Sequence, residues 1–346
     1  MTGSGRSGTS SVAGTLKRLG YHIPQPEVET DERNPLGYYE PLWVAKFHKS
    51  WLNRIPVRTI DTRPEAGRIA MDTLTPERTE ELRAWLADEL ATVGSDEVVV
   101  IKETRAYWVY PLWVDVAQQV GADLVSLTML RHPTQVVRSR DSAYLKHETD
   151  HTRLERETAN VAAWMNSIFV TERATRGNAR AFVPYYDLIG DWRTAITRAC
   201  DQMGVPYGDL TAPHPIDDFI QPSLNRSADT WEGLRVPDWL RELAQQTWEA
   251  ANRLVVDPFD EVAIAELGRL AEAYEPYYRY AAALATDEIE ARVVERAGEI
   301  AEKRVANLRT RLDTRNETIE RLRAELAAAK QAPPGRGPRT WFGRRT

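Results

Sequence analysis

Apolar runs of strand length alternate with amphipathic stretches of helical period along the first 200 residues. Leu124-Val125-Ser126-Leu127-Thr128-Met129-Leu130 and Val98-Val99-Val100-Ile101 read as buried strands, and Ala181-Phe182-Val183 as a shorter third. Between them, Thr75-Pro76 opens a helix with Leu82, Trp85, Leu86 and Leu90 on one face. A second helix is predicted from about Val109 to Val120, closed by Gly121, and a third after Arg131-His132-Pro133. A long helix follows from about Arg153 to Arg176. Strands separated by helices imply right-handed crossovers and a parallel sheet covered on both faces, so the predicted class is α/β.

Beyond this region the pattern changes. Residues 205–235 carry Pro206, Pro213, Pro215 and Pro222 and read as a long ordered loop or lid. Helical spacing resumes from about Pro237 to Ala283. From Val305 a heptad is legible, with Val305, Leu312, Ile319 and Leu326 at one core position and Leu308, Arg315 and Leu322 at the other. Arg315 weakens that seam, so a solvated helix on its own domain and a short coiled coil joining two copies both fit. Residues 331–346, with Arg339, Trp341, Phe342, Arg344 and Arg345, have the composition of a disordered basic tail.

The N-terminal pattern carries chemistry. Gly3-Ser4-Gly5-Arg6-Ser7-Gly8-Thr9-Ser10-Ser11 leads into a helix capped by Ser10 or Ser11 and ended near Gly20. Glycines allow successive N–H groups to converge on one phosphate, and the helix adds the positive end of its dipole. A flexible glycine/serine tail is the plainer alternative. A phosphate loop normally leaves a buried strand, and only Met1-Thr2 precede Gly3, which predicts a start further upstream. Gly3-x4-Gly8 has the frame of a nucleoside-triphosphate P-loop, yet Thr9 stands where the lysine belongs and the positive charge is Arg6. A kinase-type site would lose its main β/γ-phosphate contact there.

A second anion signal lies at the end of the 124–130 strand, where Arg131 and Ser139 offer a charged fork and a hydroxyl. Taken without the first loop, this segment reads more readily as Arg131 paired with a nearby carboxylate and Ser139 as an ordinary helix residue.

Composition narrows the class further. The chain of 346 residues is 42% apolar, enough for one large core or two modest ones. Forty-five Lys and Arg against 51 Asp and Glu give a net charge of −6, so no nucleic-acid partner is expected and any anion site is local. Cys200 is the single cysteine and the six histidines are scattered, which argues against a disulfide and a metal site. No run is long enough to cross a bilayer, and a cytoplasmic setting is the default expectation.

The two anion segments together resemble the sulfotransferase family, whose donor is 3′-phosphoadenosine 5′-phosphosulfate (PAPS). Gly3 to Ser11 is similar to the 5′-phosphosulfate loop of its bacterial members, and Arg131 to Ser139 to the 3′-phosphate segment. Lys102-Glu103-Thr104-Arg105 is similar to the family's Lys-Asp-Pro-Arg, and Tyr185-Tyr186-Asp187-Leu188 to its Tyr-Glu-Asp-Leu. Gly37-Tyr38-Tyr39-Glu40 resembles the Gly-aromatic-aromatic-Glu of bacterial members.

The resemblance implies a P-loop-like parallel sheet flanked by helices, the sulfotransferase fold, over residues 1–230 and does not reach the C-terminal helices; helical spacing there predicts 231–284 as a helical continuation of the same domain and 285–330 as a long helix or short coiled coil. The resemblance also implies donor contacts from Gly5, Arg6, Ser7, Gly8, Thr9, Ser10, Arg131, Ser139 and Tyr185, with Arg226 a weak stand-in for the segment that closes over the 3′-phosphate. Arg6 would stabilise the departing phosphate, Glu40 would be the base and His48 the reserve base. Aromatic residues Tyr38, Tyr39, Trp43, Trp51, Tyr107, Trp108, Tyr110 and Trp113 suggest a carbohydrate or glycolipid acceptor, or else a core. The competing expectations are a P-loop kinase and a non-catalytic interaction protein with a degenerate donor site.

Overall fold

The computed structural model describes residues 1–32, 34–55, 57–144, 150–221 and 229–331. Two compact units divide the chain, Met1–Tyr278 and Arg279–Thr346.

The first unit is a helix-rich α/β domain around a small sheet of three strands in the order β1-β2-β3. These are β1 (Thr2–Gly3), β2 (Ser126–Leu130) and β3 (Arg180–Pro184), and both pairings are parallel. Thr2 stands opposite Thr128, and Ser126 opposite Arg180. All residues of β2 and β3 are buried, as expected of parallel strands covered on both faces.

Side chains alternate across the sheet, so each face packs its own layer. Leu127, Met129, Ala181 and Val183 meet α1 (Thr9–Arg18), α8 (Tyr185–Gly190) and α9 (Trp192–Met203). Leu130 and Phe182 meet α6 (Pro133–Tyr144), α7 (Asp150–Thr175) and α11 (Asp238–Val256), with α12 (Glu261–Leu284) contributing Leu267 and Leu270. A third cluster comes from helices, joined by Val57 of the loop after the first of them. It joins α2 (Leu42–Leu52), α3 (Ala66–Met71), α4 (Pro76–Leu90), the 3-10 turn Ala106–Val109 and α5 (Tyr110–Gln119).

Three expectations need correction. The strand that appeared to be missing before the glycine-rich loop is present as β1, held by two residues of pairing to β2. Val98–Ile101 does not form a strand. It makes one parallel bridge, His22 to Val99, closed by His22 N–H to the Val98 carbonyl at 3.0 Å and Val100 N–H to the His22 carbonyl at 2.7 Å. The Ile101 carbonyl also accepts from the Met1 amino group at 2.8 Å, but these isolated contacts build no ladder. Neither Ser10 nor Ser11 caps α1, because its N-cap is Gly8 in the left-handed region, at φ 90°.

Thr75 does cap α4, accepting from the Arg78 N–H, with Pro76 at the first helical position. The proline-rich stretch contains the short α10 (Ile216–Phe219), whose Phe219 packs edge-on against Tyr39. Arg226 and the tail residues 332–346 lie outside the described residues. The second unit is dominated by α13 (Thr286–Gln331), an amphipathic helix whose large apolar side chains are exposed. Among the described residues no helix is long and apolar enough to cross a membrane.

Candidate functional site

The glycine-rich segment turns sharply between β1 and α1. Gly3 has φ 146°, Arg6 φ 76° and Gly8 φ 90°, so an arginine sits in a backbone region that usually favours glycine. Gly3 permits close approach to β2, since a Cβ there would fall 3.0 Å from the Met129 carbonyl oxygen. Ser7 N–H donates to the Ser4 carbonyl at 3.1 Å, and the two buried hydroxyls lie 2.5 Å apart. Ser7 therefore shapes the turn from within, and its hydroxyl and N–H are not aimed outward as the sequence comparison implied. Thr9 is buried against Gly3.

Helix α1 starts at this turn without a side-chain cap and without an acidic residue in its first turn. Its first N–H groups and dipole favour an anion. Gly5 lies beside α6, where a Cβ would come 3.6 Å from the Arg140 guanidinium.

The second anion segment closes on the same turn. Arg6 Nε donates to Ser139 Oγ at 3.1 Å, and Arg131 Nη1 donates to the Arg6 carbonyl at 3.0 Å. Arg131 also lies over the Tyr185 ring, 4.4 Å from its centroid, and donates from Nε to Gln135 Oε1 at 3.3 Å. Tyr185 in turn fills the space beneath Gly8, where a Cβ would sit 2.2 Å from a ring carbon.

Arg131 is only 7% exposed, and these partners are an amide oxygen, a carbonyl and a ring. None is a carboxylate, so the plainer reading of Arg131 as half of an ordinary ion pair does not hold for these contacts. Burial lowers its pKa from the ordinary arginine value, and the positive Arg6 adds to that, with Tyr185 opposing. Two close cations in a partly dry pocket are stabilised by an anion between them.

On the other flank stands Glu40, at the end of an irregular segment just before α2, in which Gly37 and Tyr39 have positive φ. Its Oε1 accepts from Lys102 Nζ at 2.5 Å, and Lys102 also reaches Ser10 Oγ at 3.4 Å. Asn34 Nδ2 donates to the same hydroxyl at 3.2 Å. Glu40 and Lys102 are thus tied to the first turn of α1, and Glu40 retains 15% side-chain exposure.

His48 occupies a different environment. It is fully buried, with Nδ1 2.5 Å from Glu103 Oε2 and Nε2 accepting from Trp113 Nε1 at 3.3 Å. An indole N–H only donates, so the ring proton lies on Nδ1 and points at Glu103. Both nitrogens are engaged inside the helical cluster, which removes His48 from the role of reserve base. Glu103 also accepts from the Arg105 backbone N–H at 2.9 Å and from Arg105 Nε at 2.8 Å. Burial alone would raise the Glu103 carboxyl, but His48 and Arg105 outweigh it and hold the group below its ordinary value.

The aromatic set divides unevenly. Tyr39, Trp51, Tyr107, Trp108, Tyr110 and Trp113 are all buried, and Trp43 stacks 4.6 Å from Trp85. The six buried rings are core and lend no support to a sugar platform, whereas Trp43 and Tyr38 are half-buried, with the Tyr38 hydroxyl donating to Asp31 Oδ1 at 2.8 Å. Asn34 and Arg140 were not legible as site residues, because no spacing links them to the loop; Arg140 is merely the neighbour of Ser139 in α6.

No family model matches this chain, and no curated protein does. Among solved structures, the chain is similar to the sulfotransferase domain of the olefin synthase from Synechococcus PCC 7002, at 18% identity over 79% of this chain and 92% of that one, with a TM-score of 0.39.

Proposed function

We propose that this protein transfers a sulfuryl group from PAPS to a hydroxyl of an acceptor, releasing adenosine 3′,5′-bisphosphate. The observation that carries the reading is the buried Arg131. It has neutral partners, lies against the Arg6 carbonyl, and so joins the turn before α1 to a second anion-binding segment more than a hundred residues away. A donor with phosphate groups at both its 5′ and 3′ positions calls for two such clusters, whereas a nucleoside triphosphate calls for a loop lysine, and Thr9 is buried at that position.

In this reading the first N–H groups of α1 and Arg6 receive the 5′-phosphosulfate, and Arg131 and Ser139 receive the 3′-phosphate. The acceptor oxygen attacks sulfur in line and a new S–O ester bond forms. The bond from sulfur to the bridging phosphate oxygen breaks, the electron pair stays on that oxygen beside Arg6, and the acceptor proton passes to Glu40. Lys102 holds the Glu40 carboxylate in position. The acceptor is specified only as an alcohol.

Isothermal titration of the full chain tests the donor. Adenosine 3′,5′-bisphosphate is expected to bind without Mg²⁺, and Arg6→Ala and Arg131→Ala each to weaken it at least tenfold, in line with the loss of a charge-assisted contact. Preference for ATP with Mg²⁺, or no binding of the bisphosphate, overturns the reading.

A further inference from the structure

Helix α13 presents Val305, Leu308, Leu312, Ile319, Leu322 and Leu326 to solvent, each at least 45% exposed. They fall at the two core positions of consecutive heptads, so they form one stripe along the helix. Its charges are arranged in two blocks. Residues 286–302 hold six carboxylates and two arginines, while residues 303–328 hold seven basic side chains and four carboxylates. Complementing the helix dipole requires such charges only in the terminal turns, and here they run through the whole element.

We infer that α13 pairs with α13 of a second copy of this chain, in antiparallel orientation. Three features of the heptad select that direction. In a parallel pair Arg315 would face Arg315 of the partner subunit across the seam. The flanking positions would bring Arg304 against Arg309 of the partner subunit and Glu290 against Glu295 of the partner subunit, all like charges.

Run antiparallel, Val305 falls opposite Leu322 of the partner subunit, Leu308 opposite Ile319 of the partner subunit, and Arg315 opposite Leu312 of the partner subunit. The same register sets Glu302 beside Arg323 of the partner subunit and Arg304 beside Glu325 of the partner subunit, each contact occurring twice by symmetry. Arg323 and Glu325 now hold only exposed contacts within the helix, to Glu320 at 2.8 Å and to Arg321 at 3.7 Å. Such pairs are weak enough to be shared or exchanged.

Variants of the full chain with one added cysteine test orientation, since the native Cys200 is buried. Val305→Cys and Leu322→Cys, mixed and oxidised, are expected to cross-link to each other, and each alone to stay uncross-linked. Light scattering should report a dimer, and Leu312→Asp a monomer whose melting temperature for the α/β domain is unchanged. Arg323→Glu should raise the dimer dissociation constant about tenfold, and Glu302→Arg combined with it should restore pairing. A monomer at every concentration, or self-cross-linking of Leu322→Cys, overturns the inference.

Discussion

Gly8 is the tightest position of the candidate site. Its φ of 90° and the Tyr185 ring beneath it leave no place for a side chain. Gly8→Ala should incur about 1–2 kcal/mol of backbone strain, before any displacement of Tyr185. Because Tyr185 also supports Arg131, bisphosphate affinity should fall along with the melting temperature; unchanged affinity would show the loop to be indifferent to its floor. Glu40 permits a cleaner separation. Glu40→Gln keeps the shape and a hydrogen bond, so donor affinity should hold while turnover drops by about 10²-fold or more. Retained turnover would move the base elsewhere.

The residues that could be read from sequence were those with a local signature. Arg6 within a glycine-rich turn and the Arg131–Ser139 interval are local patterns, and the fold brings them into hydrogen-bond contact. The Lys102–Glu40 pair spans 62 positions with no shared motif spacing, and the inward turn of Ser7 depends on Ser4 geometry. Neither is encoded by spacing. His48 shows the opposite failure. A histidine on a helix looks available in one dimension, and only the packing of α2 against α5 buries it with Glu103 and Trp113.

At the scale of elements, periodicity identified the long helices well because each has a continuous apolar face. Helix α4 begins at Pro76 and α5 ends at Gln119, close to the predicted positions. Strands fared less evenly. β2 and β3 were legible as apolar runs, whereas Val98–Ile101 has the same composition yet makes one bridge to His22 and one bond to Met1, without a continuous ladder. β1 contains Thr2 and Gly3, too few residues to show any alternation, and only its pairing with Thr128 and Met129 defines it. A strand is a property of two segments, and one-dimensional pattern sees them separately.

For the whole molecule, the net charge of −6 conceals strong local asymmetry. Cations gather at the start of α1, while buried carboxylates brace the scaffold around it. Asp61, 4% exposed, is held below its ordinary value: burial opposes ionisation, but Arg63 and the Arg58 and Arg63 N–H groups prevail. Glu103 is lowered in the same sense.

A carboxyl whose folded pKa is depressed adds stability that is complete above its unfolded value and is lost as pH falls through the folded one. Melting temperature should therefore be steady near neutrality and decline once pH drops below the ordinary values of 4.5 for Glu103 and 3.8 for Asp61. Thermal melts across that interval check it. A melting temperature that rises on acidification would mean these carboxyls are not held ionised by their partners.

The two ends of the glycine-rich turn are unequally fastened. Toward β2 it is secured by two residues of strand, and on the other side it continues into ten residues of helix. Local opening is easiest where fewest bonds must break together, so spontaneous excursions begin at the β1 end and leave α1 folded. For the donor proposed above, such opening would leave the helix amides in place while the lip of the site parts, a route in and out that does not require unfolding the domain.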